Sequence, residues 1–264
     1  MTRSARTRLM TLSLYAVFLA LVVIFVLLAN WEAIKDNFFL TEGFTGNWQD
    51  MVFTGAKNTI LYTIISFIGG FVLAVILVLM KLAPIAPFRW LATAYIELFR
   101  GLPALVVILF MGFGVPIAFG WRPPGGTVGA GLVALMLVAG AYMAETLRAG
   151  IEAVPKGQTE AARSLGMNAP WTMASIVMPQ ALRIVIPPLT NELVILLKDT
   201  SLLFVIGLAA SQKELTTLAR DFMSSGPSAG TATSLTFAAL LYLAITLPLT
   251  RLVAWMESKQ KRSR

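Results

Sequence analysis

Long apolar runs separated by short polar stretches dominate this chain. Six of them, over residues 9–29, 55–80, 90–119, 128–149, 186–208 and 233–253, are each long enough to cross a bilayer as a helix. A crossing takes about 20 residues at ~1.5 Å rise. The pattern predicts an all-α, polytopic membrane protein with six transmembrane helices. Arg3, Arg6 and Arg8 precede the first run as they would in a signal peptide. That run exceeds the roughly 7–15 residues of a signal core and lacks a small-x-small end, so it reads as a retained helix. Pro103 in the third run and Pro248 in the sixth predict kinks or local openings. Pro187 and Pro188 suit the first turn of the fifth. Gly69-Gly70, Gly112 with Gly114, and Gly140 with Ala144 allow close helix approach.

The polar stretches assign the two sides. With both termini inside, the cytoplasm receives Arg3, Arg6, Arg8, Lys81, Arg89, Lys156, Arg163, Lys259, Lys261, Arg262 and Arg264. The outer segments receive Lys35, Arg122, Lys213 and Arg220, offset by Glu32, Asp36, Glu42, Asp50, Glu214 and Asp221. This is the asymmetry of the positive-inside rule. It also accounts for the formal charge of +8 without nucleic acid as a partner. Segment 30–54 is a polar outer loop with interfacial aromatics (Trp31, Phe38, Phe39, Phe44 and Trp48). Segment 209–230 predicts a short surface helix in SQKELTTLARDF, followed by a flexible SSGPSAG.

Composition removes most enzymatic chemistry. Of 264 residues 57% are hydrophobic and 13% charged, against about a quarter charged in soluble domains. Cysteine and histidine are absent, which excludes disulfides, thiol nucleophiles, imidazole bases and Cys- or His-based zinc sites. No G-x-x-x-x-G-K-[ST] occurs, so the chain carries no P-loop.

One cytoplasmic stretch, EAARSLGMNAPWTMASIVMP over residues 160–179, stands out as polar and alanine-rich among the apolar runs. Residues 158–165 favour helix and Gly166 is placed to stop it. Asn168 is an N-cap candidate and Pro170 suits a first turn, predicting a second short helix that Pro179 ends. Such an elbow, with small residues exposed, can seat in a cleft of another protein and transmit its movement as a lever.

Glu160-Ala161-Ala162, three residues, Gly166, nine residues and Ile176-Val177-Met178-Pro179 resembles the E-A-A…G…I-x-L-P signature of permease subunits of ABC importers. Met178 stands where the signature has Leu, a volume-conserving exchange. YIELFRGLP (95–103), AYMAETLRAGIEAVPKGQTEAA (141–162), MPQALR (178–183) and KDTSL (198–202) are similar to the polar amino-acid branch. The resemblance spans roughly residues 55–253. It implies a type I importer in the plasma (inner) membrane of a bacterium, with two permease subunits (identical or homologous), an ATPase dimer and an extracytoplasmic amino-acid-binding protein. ATP and magnesium would sit on the ATPase, and this chain would bind no cofactor and catalyse no reaction. The elbow would be the coupling helix, with Gln158, Glu160, Ala161, Ala162, Leu165, Gly166 and Trp171 facing the ATPase. The implied layout is an extra helix and outer loop (1–54), a five-helix core (55–257) with its coupling loop (156–180), and a basic tail (258–264).

Charges inside spans are costly and need a partner or a role. Glu97 with Arg100, and Glu145 with Arg148, are spaced i,i+3 on their helices, as an inner gate or as scaffold. In the fifth run, Lys198 and Asp199 fall about 15 Å beyond Pro188, near the midplane, with Glu192 about one turn in. Asn191, Glu192, Lys198, Asp199, Thr200 and Ser201 are the candidate pore residues, offering a cation and acceptors to a zwitterion. The alternative is a self-neutralising kink that only shapes the pore. The predicted function is a permease subunit of an ATP-driven amino-acid importer. Its rival is an ion-coupled secondary transporter using Glu192, Lys198 and Asp199.

Overall fold

The computed structural model describes residues 3–262, and Arg264 of the basic tail lies outside them. The described residues are mostly helical and contain no strand. Helix α1 (Arg3–Leu28) carries apolar side chains all round, and none is buried over residues 10–28. A helix apolar on every face, unpacked by protein, suits lipid. Two short helices follow, α2 (Trp31–Phe38) and α3 (Thr41–Gln49). This segment, expected as a loop, is instead a structured platform. Asn47 donates to Ser228 at 2.8 Å, and Thr233 Oγ donates to the Asn37 carbonyl at 3.1 Å.

A π-helical turn (Asp50–Ala56) leads into α4 (Lys57–Leu82), the first helix of the packed core. The third apolar run does not cross as one helix. It divides into α5 (Ala86–Gly101), then α6 (Ala104–Leu109) and α7 (Val115–Phe119), and the axis turns by 104° at the break. The cause is local: a residue before proline is driven out of the helical region, and Leu102 sits at φ −95°, ψ 138°. Pro103 then starts the next helix.

Helix α8 (Thr127–Glu152) is the axis of the bundle, and its small-residue face is buried from Val128 to Gly150. Its most extensive packing is against α4. At Gly70 on α4 a Cβ would stand 3.1 Å from the Cβ of Ala139 and 3.2 Å from the Gly140 nitrogen, so this crossing is tighter than a side chain allows comfortably.

After α8 come α9 (Lys156–Ser164), α10 (Ala169–Thr172) and α11 (Met178–Asp199), the last two joined by a π-helical turn over Met173–Val177. Pro179 was expected to end a helix. It lies in the first turn of α11, and the chain stays helical from Ala169 to Asp199. Pro187 and Pro188 are therefore interior residues rather than the first turn of a span beginning at 186. An interior proline leaves the carbonyl four residues back without its helical donor. For Pro187 that carbonyl belongs to Arg183, and the Gln260 side chain donates to it at 2.9 Å. The neighbouring helix completes what the proline removes.

A 3-10 segment (Thr200–Ile206) ends α11. Helix α12 (Leu215–Ser224) falls where a surface helix was expected, but Leu215, Thr217, Leu218 and Ala219 are buried. Glu214 caps it from a fully buried position, accepting from the Thr216 and Thr217 amides at 2.6 and 2.7 Å and from the Tyr242 hydroxyl at 3.1 Å. Burial raises its pKa above the usual carboxylate range, against the pull of those hydrogen bonds. Helix α13 (Thr233–Arg262) runs unbroken through Pro248.

The loops gather at two ends. Asn58 donates to the carbonyls of Ser211 and Lys213, and Gln212 donates to that of Gly125, so the segments assigned outside share one end. The elbow, with Gln158 beside Gln180, lies at the other. Helices α1, α4, α8 and α13 are long and apolar enough to cross a membrane, and the bent pair adds one. The α11 stretch is not among them, since Arg183, Glu192, Lys198 and Asp199 dilute its hydrocarbon.

Candidate functional site

The elbow is held by backbone geometry. Gly166 adopts φ +85°, with no neighbouring atom within 4 Å of where a Cβ would stand. Its amide donates to the Arg163 carbonyl at 3.0 Å, and the Met167 amide donates to that of Ala162 at 3.2 Å. These two bonds form a Schellman motif, which needs a left-handed residue at this position. Arg163 reinforces the turn by donating to the Met167 carbonyl at 2.6 Å. Asn168 then caps α10 by accepting from the Trp171 amide at 2.9 Å, as its sequence position predicts. Gln158, Glu160 and Ala161 are exposed, while Ala162 is turned inward. Leu165 and Trp171, 85% and 61% exposed, are large apolar side chains at the tip of the elbow.

Behind the elbow lies a charge cluster centred on Glu145. Arg148 reaches its carboxylate at 2.5 and 3.1 Å, while Lys81 from α4 and Arg100 from α5 approach to 3.7 and 3.9 Å. Arg148 also pairs with Glu152. The expected Glu97–Arg100 pair does not form: Arg100 turns to Glu145, and Glu97 has no ion-pair partner among the described residues. One carboxylate thus answers cations from three helices. Glu145→Gln is expected to destabilise the protein. Breaking a buried pair costs about 3–5 kcal/mol, and the quarter exposure of the Glu145 side chain should reduce that. Thermal unfolding of the purified complex checks this, with Glu145→Asp expected to recover part of the loss.

Halfway along α8 a cavity of about 360 Å³ opens between α8, α11 and the break at Leu102–Pro103. Its polar lining comes from Glu192, Asp199 and Tyr142, and the remainder is apolar. The 104° break forms one wall of this space, which Leu102, Pro103 and Ala104 line. Tyr142 donates to the Arg100 carbonyl at 3.3 Å, and the Arg100 guanidinium stands 5.8 Å from the centre of its ring. The candidate pore residues are divided. Glu192 and Asp199 share this cavity, one helical repeat of seven residues apart. Lys198 and Ser201 line a separate open groove against α13, beside Tyr242 and Thr246. Thr200 is buried, its hydroxyl donating to the Leu197 carbonyl at 2.6 Å, and Asn191 is exposed. Consecutive helical residues point about 100° apart, which separates Lys198 from Asp199. Tyr142 was not among the sequence candidates. The signal that could have found it is its place one turn before the Glu145 cluster, on the α8 face that meets Arg100.

The description of binding-protein-dependent transport system inner membrane components matches residues 78–262. The probable glutamine ABC transporter permease protein GlnM of Bacillus subtilis is 37% identical over 218 residues, covering 81% of this chain and 94% of its own length. The arginine transport system permease protein ArtQ of the same organism is 34% identical over 215 residues, covering 80% and 92%. A crystal structure of an amino acid ABC transporter with histidines superposes with a TM-score of 0.73 at 33% identity, covering 81% of this chain and 96% of that one.

Proposed function

This chain belongs to the family of binding-protein-dependent transport system inner membrane components, and from that premise we propose how its own residues move an amino acid. It is a permease of an ABC amino-acid importer. In the proposed scheme the elbow end is cytoplasmic, and Leu165 and Trp171 dock into a partner ATPase that binds ATP and magnesium. A second permease subunit completes the pore, and an external binding protein delivers the ligand to the opposite end.

The observation that carries this reading is mechanical. From Ala169 to Asp199 the chain is one continuous helical rod, through the π-helical turn at Met173–Val177 and past Pro187 and Pro188. The rod begins at the elbow and ends at the acidic cavity. A displacement of the elbow by ATPase closure therefore moves Glu192 and Asp199 directly, the kind of rigid-element motion by which access alternates. The hydrogen-bonded turn at Gly166 keeps the lever stiff.

The cavity also bears on the ligand. It presents two carboxylates and no cationic side chain among its lining residues. A free ammonium, and above all a cationic side chain, is the complementary partner, so a cationic amino acid is favoured over an acidic one. Arg100, stacked on the Tyr142 ring and paired with Glu145, would receive the ligand carboxylate on releasing Glu145, the role that sequence spacing suggests for Lys198.

Single cysteines test the orientation and the docking together, since the native chain contains none. In membrane vesicles Leu165→Cys should label only from the cytoplasmic face and become protected when the ATPase is bound. Ser224→Cys should label only from the outside. Labelling of both from one face, or labelling of Leu165→Cys that is indifferent to the ATPase, contradicts the scheme.

A further inference from the structure

At the elbow end, the first turns of α11 and the last turns of α13 enclose a groove of about 490 Å³. Ile186, Pro187 and Met256 give it an apolar wall, and Trp255, Arg183 and Lys259 bring an indole and two cations from two helices. The bond from Gln260 to the carbonyl that Pro187 leaves free joins the helices at this level. The groove is thus a built junction rather than a chance gap. Neither Arg183 nor Lys259 has an ion-pair partner among the described residues. Lys259 lies 5.3 Å from the centre of the Trp255 ring, which leaves its ammonium open to an anion on the other side. Glu257 is two residues before Lys259 and so points about 200° away around the helix.

The depth of the groove identifies its environment. From Thr233 to Val253 helix α13 rises about 30 Å, the thickness of the hydrocarbon core. Trp255, 58% exposed, then falls at the interface, where indoles concentrate, and Lys259 lies one turn further, at headgroup level. A basic pocket between two helices at this height matches the charge of a lipid phosphate, and the apolar wall beneath it matches an acyl chain.

We propose that the α11–α13 groove binds one anionic phospholipid, its phosphate between Arg183 and Lys259 and an acyl chain along Ile186, Pro187 and Met256. Lipid fits better than a free anion because only lipid covers the apolar wall. The site rests on the placement of α13 in the bilayer and not on the ligand or direction of transport, so it stands or falls separately from the scheme above. A lipid here would brace the start of the rod against α13.

Native mass spectrometry of the purified complex, titrated with dioleoylphosphatidylglycerol or dioleoylphosphatidylcholine, tests it. The wild type should retain phosphatidylglycerol in preference to phosphatidylcholine, and excess inorganic phosphate should not displace it. Arg183→Gln and Lys259→Gln should each weaken retention about fivefold, and the double variant about thirtyfold, at the value of one near-surface cation apiece. Lys35→Gln combined with Arg122→Gln removes the same charge elsewhere and should retain the lipid as the wild type does. Equal phosphatidylglycerol affinity in wild type and variants overturns the proposal. So does displacement by inorganic phosphate, or a double variant whose only defect is loss of the second permease copy.

Discussion

Asp199→Asn is expected to lower the affinity of the assembled complex for its amino acid by about ten- to hundredfold, with basal ATP hydrolysis retained. Asparagine keeps the shape of the side chain and removes the charge proposed to answer an ammonium in the α8–α11 cavity, which Asp199 lines. A hydrogen bond to a charged group contributes roughly 1.5–3 kcal/mol, which corresponds to that range. Glu192→Gln should act in the same direction. Lys198→Met should not, because its side chain lines the α13 groove instead. Direct binding of radiolabelled arginine to purified wild type and variants, at matched assembly, separates these outcomes. A loss of affinity in Lys198→Met with none in Asp199→Asn would move the site to the other side of α11.

The second large effect is mechanical. Gly166→Val should reduce uptake about tenfold while the spans remain inserted. The position holds φ +85° with open space around it, so the penalty comes from the backbone conformation and not from a clash. A left-handed residue other than glycine costs roughly 1–2 kcal/mol, and β-branching places valine at the unfavourable extreme. The elbow would relax by breaking its two capping bonds, loosening the lever between ATPase and rod. Gly166→Asn should transport nearly normally, since asparagine tolerates this conformation. Parallel assays of uptake and ATP hydrolysis in proteoliposomes read the coupling ratio. Equal coupling in the valine and asparagine variants would remove Gly166 from the lever.

The elbow was the most legible part of the sequence because its signals are local. A glycine stop, an asparagine cap and a proline in the first turn act within a few residues, and the structure places Gly166 and Asn168 in those conformations. The cavity was legible only in part. Glu192 and Asp199 stood out as charges in an apolar run, but the space between them depends on how far Pro103 turns the chain. Sequence predicted a kink there and could not distinguish it from a 104° break. Helix geometry alone separates Lys198 from Asp199 by about 100°, but which of them meets the cavity depends on which face of α11 packs against α13, a tertiary fact. Pro187 and Pro188 misled in the opposite sense. Prolines read as a helix start, yet the Gln260 side chain satisfies the carbonyl freed by Pro187, so the helix passes through them. The platform of α2 and α3 was missed because its stability comes from polar contacts with residues some 180–195 positions away, such as Asn47 with Ser228.

The central claim is that movement of the rod, driven by a partner ATPase, opens the acidic cavity to alternate sides of the membrane. A transporter run by an ion gradient through Glu192, Lys198 and Asp199 needs no lever and no ATPase. The direct measurement is uptake of radiolabelled arginine by proteoliposomes containing the purified permease–ATPase complex, with binding protein and arginine on the outside. ATP sealed in the lumen, where the ATPases face, should drive concentrative uptake that vanadate abolishes and that an ionophore leaves unchanged. Uptake that proceeds without ATP under an imposed proton or sodium gradient, and collapses with the ionophore, would contradict it.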